Sequence, residues 1–515
     1  GGTVFGRDSQ GGWVVTSSQG VDTLTGVEQV HFNGEIITLG RNELRVNTTT
    51  VSDQRDPTVT RLADGGWLVC WMAYNQDGSG WGVYQQRFTV GGSTSGHETR
   101  VNTYTSSEQQ YPSTAALNDG GWVVSWMSHD QDGSGWGVYQ QRYSAAGSAT
   151  GGEVLVNTTT SANQSFPSVT GLTDGGWLVC WMAPDGGDLG IFQQRYTAGG
   201  ATSGSEVRVN TTTADSQQNP SVTSLADGGW LVSWMSFGQD GSSTGIYQQR
   251  YSSAGTTIGA EVQVNTTTAS LQSYPNVTGL VDGGWLVSWM SEGQDGSGWG
   301  IYQQRFGNTG TRTGSEVRVN TTTADLQSYP STAGLPDGGW VVSWMAHNQD
   351  GNGYGVYQQR YNSVGMPVGA EVRVNTTTAD HQQMPSVTAL VDGGWLVSWM
   401  SGNQDGDGSG IYQQRFDASG APLGIGNAIS GDATANTLVF SGSAAVEISG
   451  LGGDDLLTGG PGNDTLDGGA GLDHGAYGSR HAAYSLAAAG SGWSVGGPEG
   501  ADTLTGIERL DFSDA

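Results

Sequence analysis

Lysine is missing from this 515-residue sequence, and all 19 basic side chains are arginine against 48 acidic ones. Without lysine the chain can form neither a Schiff base nor a Lys–Asn isopeptide cross-link. The formal net charge of −29 disfavours nucleic acid and anionic membranes as partners, and it attracts divalent cations. Cysteine is nearly missing too. Cys70 and Cys180 fall at the same position of the first and third copies of an internal repeat, a separation that argues against a disulfide and for buried free thiols. No run approaches the roughly 20 apolar residues of a membrane-spanning helix, so membrane insertion is not expected. Helical periodicity is absent. Gly1 opens the sequence without a start methionine or signal peptide, which reads as a fragment or a processed product. The seven histidines lack metal-ligand spacing. Gly241-Ser-Ser-Thr-Gly245 matches a nucleophile motif but lacks its strand–turn–helix context. On these grounds the chain reads as not an enzyme.

What is present is repetition. Asp-Gly-Gly-Trp-Leu-Val-Ser-Trp-Met, or a near copy, occurs seven times, its first tryptophans being Trp67, Trp122, Trp177, Trp230, Trp285, Trp340 and Trp395. Asp-Gly-Gly suits a hairpin turn, and the apolar run after it reads as a strand covered on both faces. Three further strand-like segments complete each copy: Pro-Ser-Val-Thr-Gly-Leu (167–172), Gly-Val-Tyr-Gln-Gln-Arg-Tyr (137–143) and Gly-Ser-Glu-Val-Arg-Val-Asn (204–210). Four strands per copy, each copy needing neighbours on both faces, describe a β-propeller blade, and seven copies predict seven blades. The fourth-strand signature first appears at 43–47, ahead of any complete copy, and the last copy ends without one. Residues 41–47 are therefore expected to complete the last blade and close the ring.

The two ends of the chain share a segment. Asp22 to Phe32 and Asp502 to Phe512 align without a gap at an offset of 480 residues. Ahead of the second copy, Gly450 to Thr458, Gly459 to Asp467 and Gly468 to Ala476 follow Gly-Gly-x-Gly-x-Asp-x-U-x, where U is a large apolar residue. Leu451 and Gly475 depart from it. Glycines permit tight loops, the aspartate offers a hard oxygen and U fills the inside of a parallel β-roll. Asp455, Asp464 and Asp473 are the expected Ca2+ ligands, with Val439 and Ile448 extending the apolar ladder backward.

These nonapeptides resemble those of the RTX family of calcium-binding secreted bacterial proteins. The Asp-Thr-Leu-Thr-Gly-Ile-Glu-Arg-Leu-Asp-Phe segment is similar to the stretch that often follows them there. The propeller copies, with Gln-Asp-Gly-Ser-Gly-Trp-Gly-Val-Tyr-Gln-Gln-Arg and Val-Asn-Thr-Thr-Thr, look like repeats of very large RTX-type surface proteins. The resemblance implies type I export, folding triggered by external calcium, and a secretion signal beyond Ala515.

The expected architecture is all-β, with a partial roll-type cap over 1–38, a seven-bladed propeller over 39–425 and a calcium β-roll with cap over 426–515. Secondary calcium candidates are Asp77, Asp132, Asp240, Asp295, Asp350 and Asp405 in the Gln-Asp-Gly loops, some with a polar residue two positions earlier (Asn75, Asp130, Asn348, Asn403); turn chemistry competes with this. Trp81, Trp136, Trp299 and Tyr354 follow those loops and could stack a sugar, against a packing role. The Gln-Gln-Arg arginines, Arg87 to Arg415, match the fourth-strand glutamates, Glu43 to Glu371, in number and are expected to pair with them. The Asn-Thr-Thr tripeptides fit a glycosylation sequon, but their place at strand ends favours a turn role. The expected function is a secreted or cell-surface structural or adhesive module, with a carbohydrate-binding lectin as the alternative. Because residues 1–38 carry unpaired strands and apolar side chains such as Phe5 without rungs to cover them, an upstream stretch of the precursor or the C-terminal roll of a neighbouring molecule is expected to supply the surface, the latter a head-to-tail contact that would build filaments.

Overall fold

The Asp-Gly-Gly turn starts each blade's second strand because only glycine fits it. In the first copy Asp64 Oδ1 accepts the Gly66 N–H (3.0 Å), Gly65 stands at φ +87°, and a Cβ on Gly66 would collide with the Phe88 carbonyl. The following strand, Trp67–Tyr74, is buried on both faces up to its last residue, as its unbroken apolar run predicts.

The computed structural model describes residues 4–7, 13–17, 20–24, 29–32, 35–39, 43–186, 188–423, 427–441, 446–489 and 492–514. The chain divides into two compact units, one of Gly1–Leu44, Gly91–Ser93 and Ala421–Ala515, the other of Arg45–Val90 and Thr94–Gly420.

The second unit is a seven-bladed propeller. Its first sheet joins Gln54–Arg61, Trp67–Tyr74, Trp81–Phe88 and Thr99–Arg100, each strand antiparallel to the next. The same order recurs over 109–155, 165–208, 217–263, 272–318 and 327–373. The seventh sheet, over 382–416, is completed from the start of the chain: a strand ending at Arg45 pairs with Ser409–Phe416, the Val46 N–H donates to the Ile411 carbonyl (2.7 Å), and Asn47 Oδ1 accepts the Ile411 N–H (2.7 Å). Residues 41 and 42 lie outside the described residues.

One tryptophan per blade carries each blade-to-blade interface. The Trp122 indole N–H donates to Gln85 Oε1 of the preceding blade (3.0 Å), and the same bond recurs around the ring to its seam, where Trp67 donates to Gln413 Oε1 (2.9 Å). Trp122 stacks on Tyr143 of its own blade (5.3 Å), and Arg87 of the preceding blade lies over its other side (5.5 Å). Asp64 holds that arginine (2.5 Å), and six equivalent pairs run from Arg142–Asp119 to Arg415–Asp392. This corrects the expected pairing. Arginine sits at the hairpin end of the sheet, so its partner is the turn aspartate, while the fourth-strand glutamate lies at the opposite end. Glu98 there accepts the Thr48 N–H (2.6 Å) and the Gln76 amide (2.5 Å), which ties the Asn-Thr-Thr turn to the Gln-Asp-Gly loop. The asparagines of those turns are buried: Asn102 Oδ1 accepts the Val83 N–H (2.8 Å) and its Nδ2 reaches Gln109 (2.9 Å), so the sequon serves the turn. Cys70 and Cys180 are free and buried, and burial pushes both thiols up.

The first unit is a parallel β-roll with a hairpin unit at each end. One sheet contains Asn427–Ser430, Val446–Ser449, Thr465–Asp467 and Gly500–Thr505; the other contains Thr437–Val439, Leu456–Thr458, His474–Ala476 and Arg509–Asp511. Ile429, Leu438, Ile448, Leu457, Leu466 and Leu504 form its buried ladder. Leu438, not Val439, pairs with Leu457, because an extra residue between 438 and 448 breaks the nine-residue count. The N-terminal hairpins close the first rungs from within the chain. Glu35–Leu39 pairs with Asn427–Ser430, Phe5 bridges Phe440, and Phe5 and Val15 are buried in the roll's core. The surface expected of a neighbouring molecule is thus supplied in cis. Trp13 pairs with Leu24 as Trp493 pairs with Leu504, so the 480-residue offset is also an offset of register. Residues 25–28 of the N-terminal copy lie outside the described residues.

Candidate metal centre and propeller face

The three nonapeptide aspartates are buried in the turns of the roll, and each uses its two oxygens differently. Asp455 Oδ1 accepts the Asn436 N–H (2.7 Å), Asp464 Oδ1 the Val446 N–H (2.9 Å) and Asp473 Oδ1 the Asp455 N–H (2.8 Å). Each carboxylate therefore holds the rung before it on the same side, and Asp455 and Asp473 share one side while Asp464 serves the other. The Oδ2 atoms of all three are buried without a hydrogen-bond partner. A buried carboxylate oxygen left unpaired is costly unless a cation meets it. The glycine opening each nonapeptide lies against that oxygen, so that a Cβ on Gly450, Gly459 or Gly468 would crowd Asp455, Asp464 or Asp473. Burial, reinforced by Asp502 and Glu499 and opposed by the Val446 N–H, pushes the Asp464 carboxyl up to about 7. Asp455 is raised as well, first by burial and then by the charges of Asp473 and its neighbours.

Among the described residues no group of three or more His, Cys, Asp or Glu side chains gathers to hold a metal. The unpaired carboxylate oxygens are hard donors beside glycine-rich turns, a chemistry that suits calcium. Two members of the ladder escaped the sequence reading. Asp502 Oδ1 accepts the Asp464 N–H (2.9 Å) and Glu508 Oε2 accepts the Asp473 N–H (2.8 Å), so the C-terminal segment continues both ladders with carboxylates of its own. The signal was their acidic identity in a segment that follows the nonapeptides.

Residues 447–474 match the RTX calcium-binding nonapeptide repeat (4 copies). The C-terminal roll is an RTX calcium-binding roll. Nothing among curated proteins matches the chain. Solved structures similar to this RTX-bearing chain include a protein of unknown function from Dyadobacter fermentans (12% identity, 74% of this chain and 98% of that one, TM-score 0.44). Others are the polysaccharide lyase Uly1 (10%, 76% and 94%, TM-score 0.46) and the Penicillium chrysogenum alpha-L-arabinanase complexed with arabinobiose (13%, 74% and 99%, TM-score 0.44). The expectation that the chain is not an enzyme is corrected on this point: two of these three similar structures are described as enzymes.

On the propeller, the Gln-Asp-Gly aspartates cap their own loops. Asp77, Asp132, Asp240, Asp295 and Asp350 each accept the N–H two residues on, at 3.0–3.2 Å, and Asp405 Oδ2 accepts from Asn47 Nδ2 (3.3 Å). The polar residues ahead of them are turn positions of positive φ: Asn75 (56°), Asp130 (59°), Asn348 (55°) and Asn403 (52°), with Gly238 and Gly293 in the other loops. Backbone geometry accounts for these polar residues, while Asp132, Asp240 and Asp350 Oδ2 and Asp405 Oδ1 are buried without a hydrogen-bond partner, as the Oδ2 atoms of the roll are. Trp81, Trp136, Trp299 and Tyr354 open the third strands half-buried, opposite Tyr74, His129, Glu292 and His347 of the second strands. Trp81 lies 5.2 Å from Tyr74 and Trp136 4.8 Å from His129, and Arg55 covers Trp81 (5.6 Å).

The same end of the ring holds a site that the sequence reading missed. A cavity of about 320 Å³ is lined by the first strands of all seven blades. At its wall stands the residue before each strand's proline: Asp56, Tyr111, Phe166, Asn219, Tyr274, Tyr329 and Met384. Across the seven copies this position carries five residue types, with tyrosine in three copies, and aligning the copies would have exposed it beside the variable positions of Tyr74 and Trp81. Each of the seven has φ between 51° and 54°, at a bulge such as the one between Arg55 and Thr58. Burial lifts the Asp56 carboxyl to about 6 against the opposing charge of Arg55.

Proposed function

We propose that this chain is a calcium-stabilised extracellular module of a secreted bacterial protein, acting as a structural or adhesive unit at the cell surface or in the matrix. The three buried Oδ2 atoms of Asp455, Asp464 and Asp473 carry the reading. A roll whose turns hold uncompensated carboxylates is poorly folded where calcium is scarce and folds where it is plentiful, which suits export of an unfolded chain by a type I route. The acidic surface, net −29, keeps such a module soluble and away from anionic membranes. No helix among the described residues is long and apolar enough to cross a membrane. Adhesion is assigned to the propeller, because hairpin units cover both ends of the roll within one chain.

Fractionating a producing bacterial culture tests the location. The chain is expected in the medium and in the surface fraction released by a calcium chelator. Its confinement to the cytoplasm would overturn the proposal.

A further inference from the structure

We propose that the cavity ringed by Asp56, Tyr111, Phe166, Asn219, Tyr274, Tyr329 and Met384 is a binding site for a neutral saccharide, and that the pre-proline position of each blade is its specificity determinant. The proposal goes beyond the calcium-stabilised adhesive reading and does not depend on the roll.

Backbone strain is the first observation. Tyrosine, phenylalanine and methionine avoid positive φ, where the Cβ crowds the backbone, and five of the seven positions carry one of them. Each lies at a bulge, a device that re-aims a side chain. Folding alone would be served by asparagine or glycine at all seven positions, as Asn219 serves the fourth blade.

Chemistry is the second observation. The rings form two tilted pairs, Tyr111–Phe166 and Tyr274–Tyr329, each with centroids 4.6 Å apart. Burial raises the phenols of Tyr111 and Tyr329, followed by the charge of Asp56 at Tyr111 and by the neighbouring Tyr274 and then Asp56 at Tyr329. The wall also carries Ser113, Ser168, Ser221 and Asn276, whose oxygens accept a backbone N–H of the next blade (2.9–3.2 Å) and whose own O–H and N–H groups remain as donors. Aromatic faces alternating with hydroxyl, amide and carboxyl groups match a sugar ring, which offers C–H faces for stacking and hydroxyls for hydrogen bonds. A cationic ligand fits less well, since the charge of Arg55, which pairs with Asp53 (2.9 Å) and covers Trp81, already acts on the Asp56 carboxylate. At about 320 Å³ the cavity is at the small end of ligand pockets, with room for about one or two sugar rings.

The test is a printed array of neutral and acidic oligosaccharides probed with the full chain in calcium, beside calorimetry with tetramethylammonium chloride. Phe166→Asn and Tyr111→Asn are the site variants, because asparagine accepts this backbone and already occupies it in the fourth blade; melting temperature checks that they fold. Wild type is expected to bind a neutral oligosaccharide, with at least a tenfold loss in each site variant at unchanged melting temperature. Trp81→Ala with Trp136→Ala is expected to leave that binding intact. Binding that is lost in the tryptophan variant and kept in the site variants overturns the proposal. So does an empty array, or tetramethylammonium binding that requires Tyr111 without any sugar binding. Calcium uptake by the same variants, unchanged in every case, separates this outcome from failure of the roll.

Discussion

Asp56 stands in the propeller cavity at a cost that depends on pH. Its carboxyl is lifted from an ordinary 3.8 to about 6 by burial, with Arg55 opposing. The folded state thus binds its proton more tightly than the unfolded state does. Stability from this residue is fully present below about pH 4 and is lost as pH rises through about 6. Asp56→Asn is expected to leave the urea midpoint unchanged at pH 4 and to raise it at pH 8, by the equivalent of at most about 3 kcal/mol of unfolding free energy. Denaturation followed by tryptophan fluorescence measures this, and equal midpoints at both pH values would contradict it. The roll aspartates differ in kind, since each ties a backbone N–H with one oxygen and leaves the other for a cation. Which residues bear this duty was readable for Asp455, Asp464 and Asp473, whose nine-residue spacing is local. Asp502 and Glu508 were not readable as partners, because the Asp464 and Asp473 N–H groups that they accept lie 38 and 35 residues away.

At the scale of the element, the blade interface rests on the indole–amide bond. Trp230→Phe removes the donor to Gln193 Oε1 (3.0 Å) and leaves that buried acceptor unpaired, which is expected to cost about 1–3 kcal/mol. Adding Gln193→Leu should recover part of the loss in a double-mutant cycle; independent, additive effects would remove the bond from the account. In the roll, Asp502→Ala deprives the Asp464 N–H of its acceptor at the C-terminal cap. It is expected to lower calcium affinity at least tenfold by calorimetry while the melting of the propeller stays unchanged. Strand existence was legible throughout the repeat, because the turn glycines and the doubly covered Trp-Leu-Val-Ser-Trp-Met run are local signals. Partner choice was not. The Gln-Gln-Arg arginines reach the turn aspartates, not the fourth-strand glutamates, because strand direction places each glutamate at the far end of the sheet. The pre-proline ring was visible only by comparing copies, since within one copy Tyr-Pro or Asp-Pro looks like an ordinary turn.

At the scale of the whole molecule, two units of different stability logic share one chain. The propeller is closed by its own apolar interfaces and by the Val46–Ile411 seam, which hold the ring together even though Asp132, Asp240, Asp350 and Asp405 of its loops each bury a carboxylate oxygen without a hydrogen-bond partner. The roll has a thin ladder of one apolar residue per rung and three buried carboxylates that need a cation. The ring was legible from the repeat count and from the spare fourth-strand signature. The docking of the N-terminal hairpins on the first rungs was not, because Phe5 meets Phe440 across 435 residues of sequence. Calcium removal should therefore act on one unit alone. The decisive measurement is hydrogen exchange by mass spectrometry on the intact chain, in about 1 mM calcium and in excess chelator, with bound calcium counted in parallel. Peptides covering 446–514, and those of the N-terminal hairpins, are expected to lose protection in chelator while those of 54–416 keep theirs, with calcium bound in the first condition only. A roll that stays protected with no calcium bound would contradict the account.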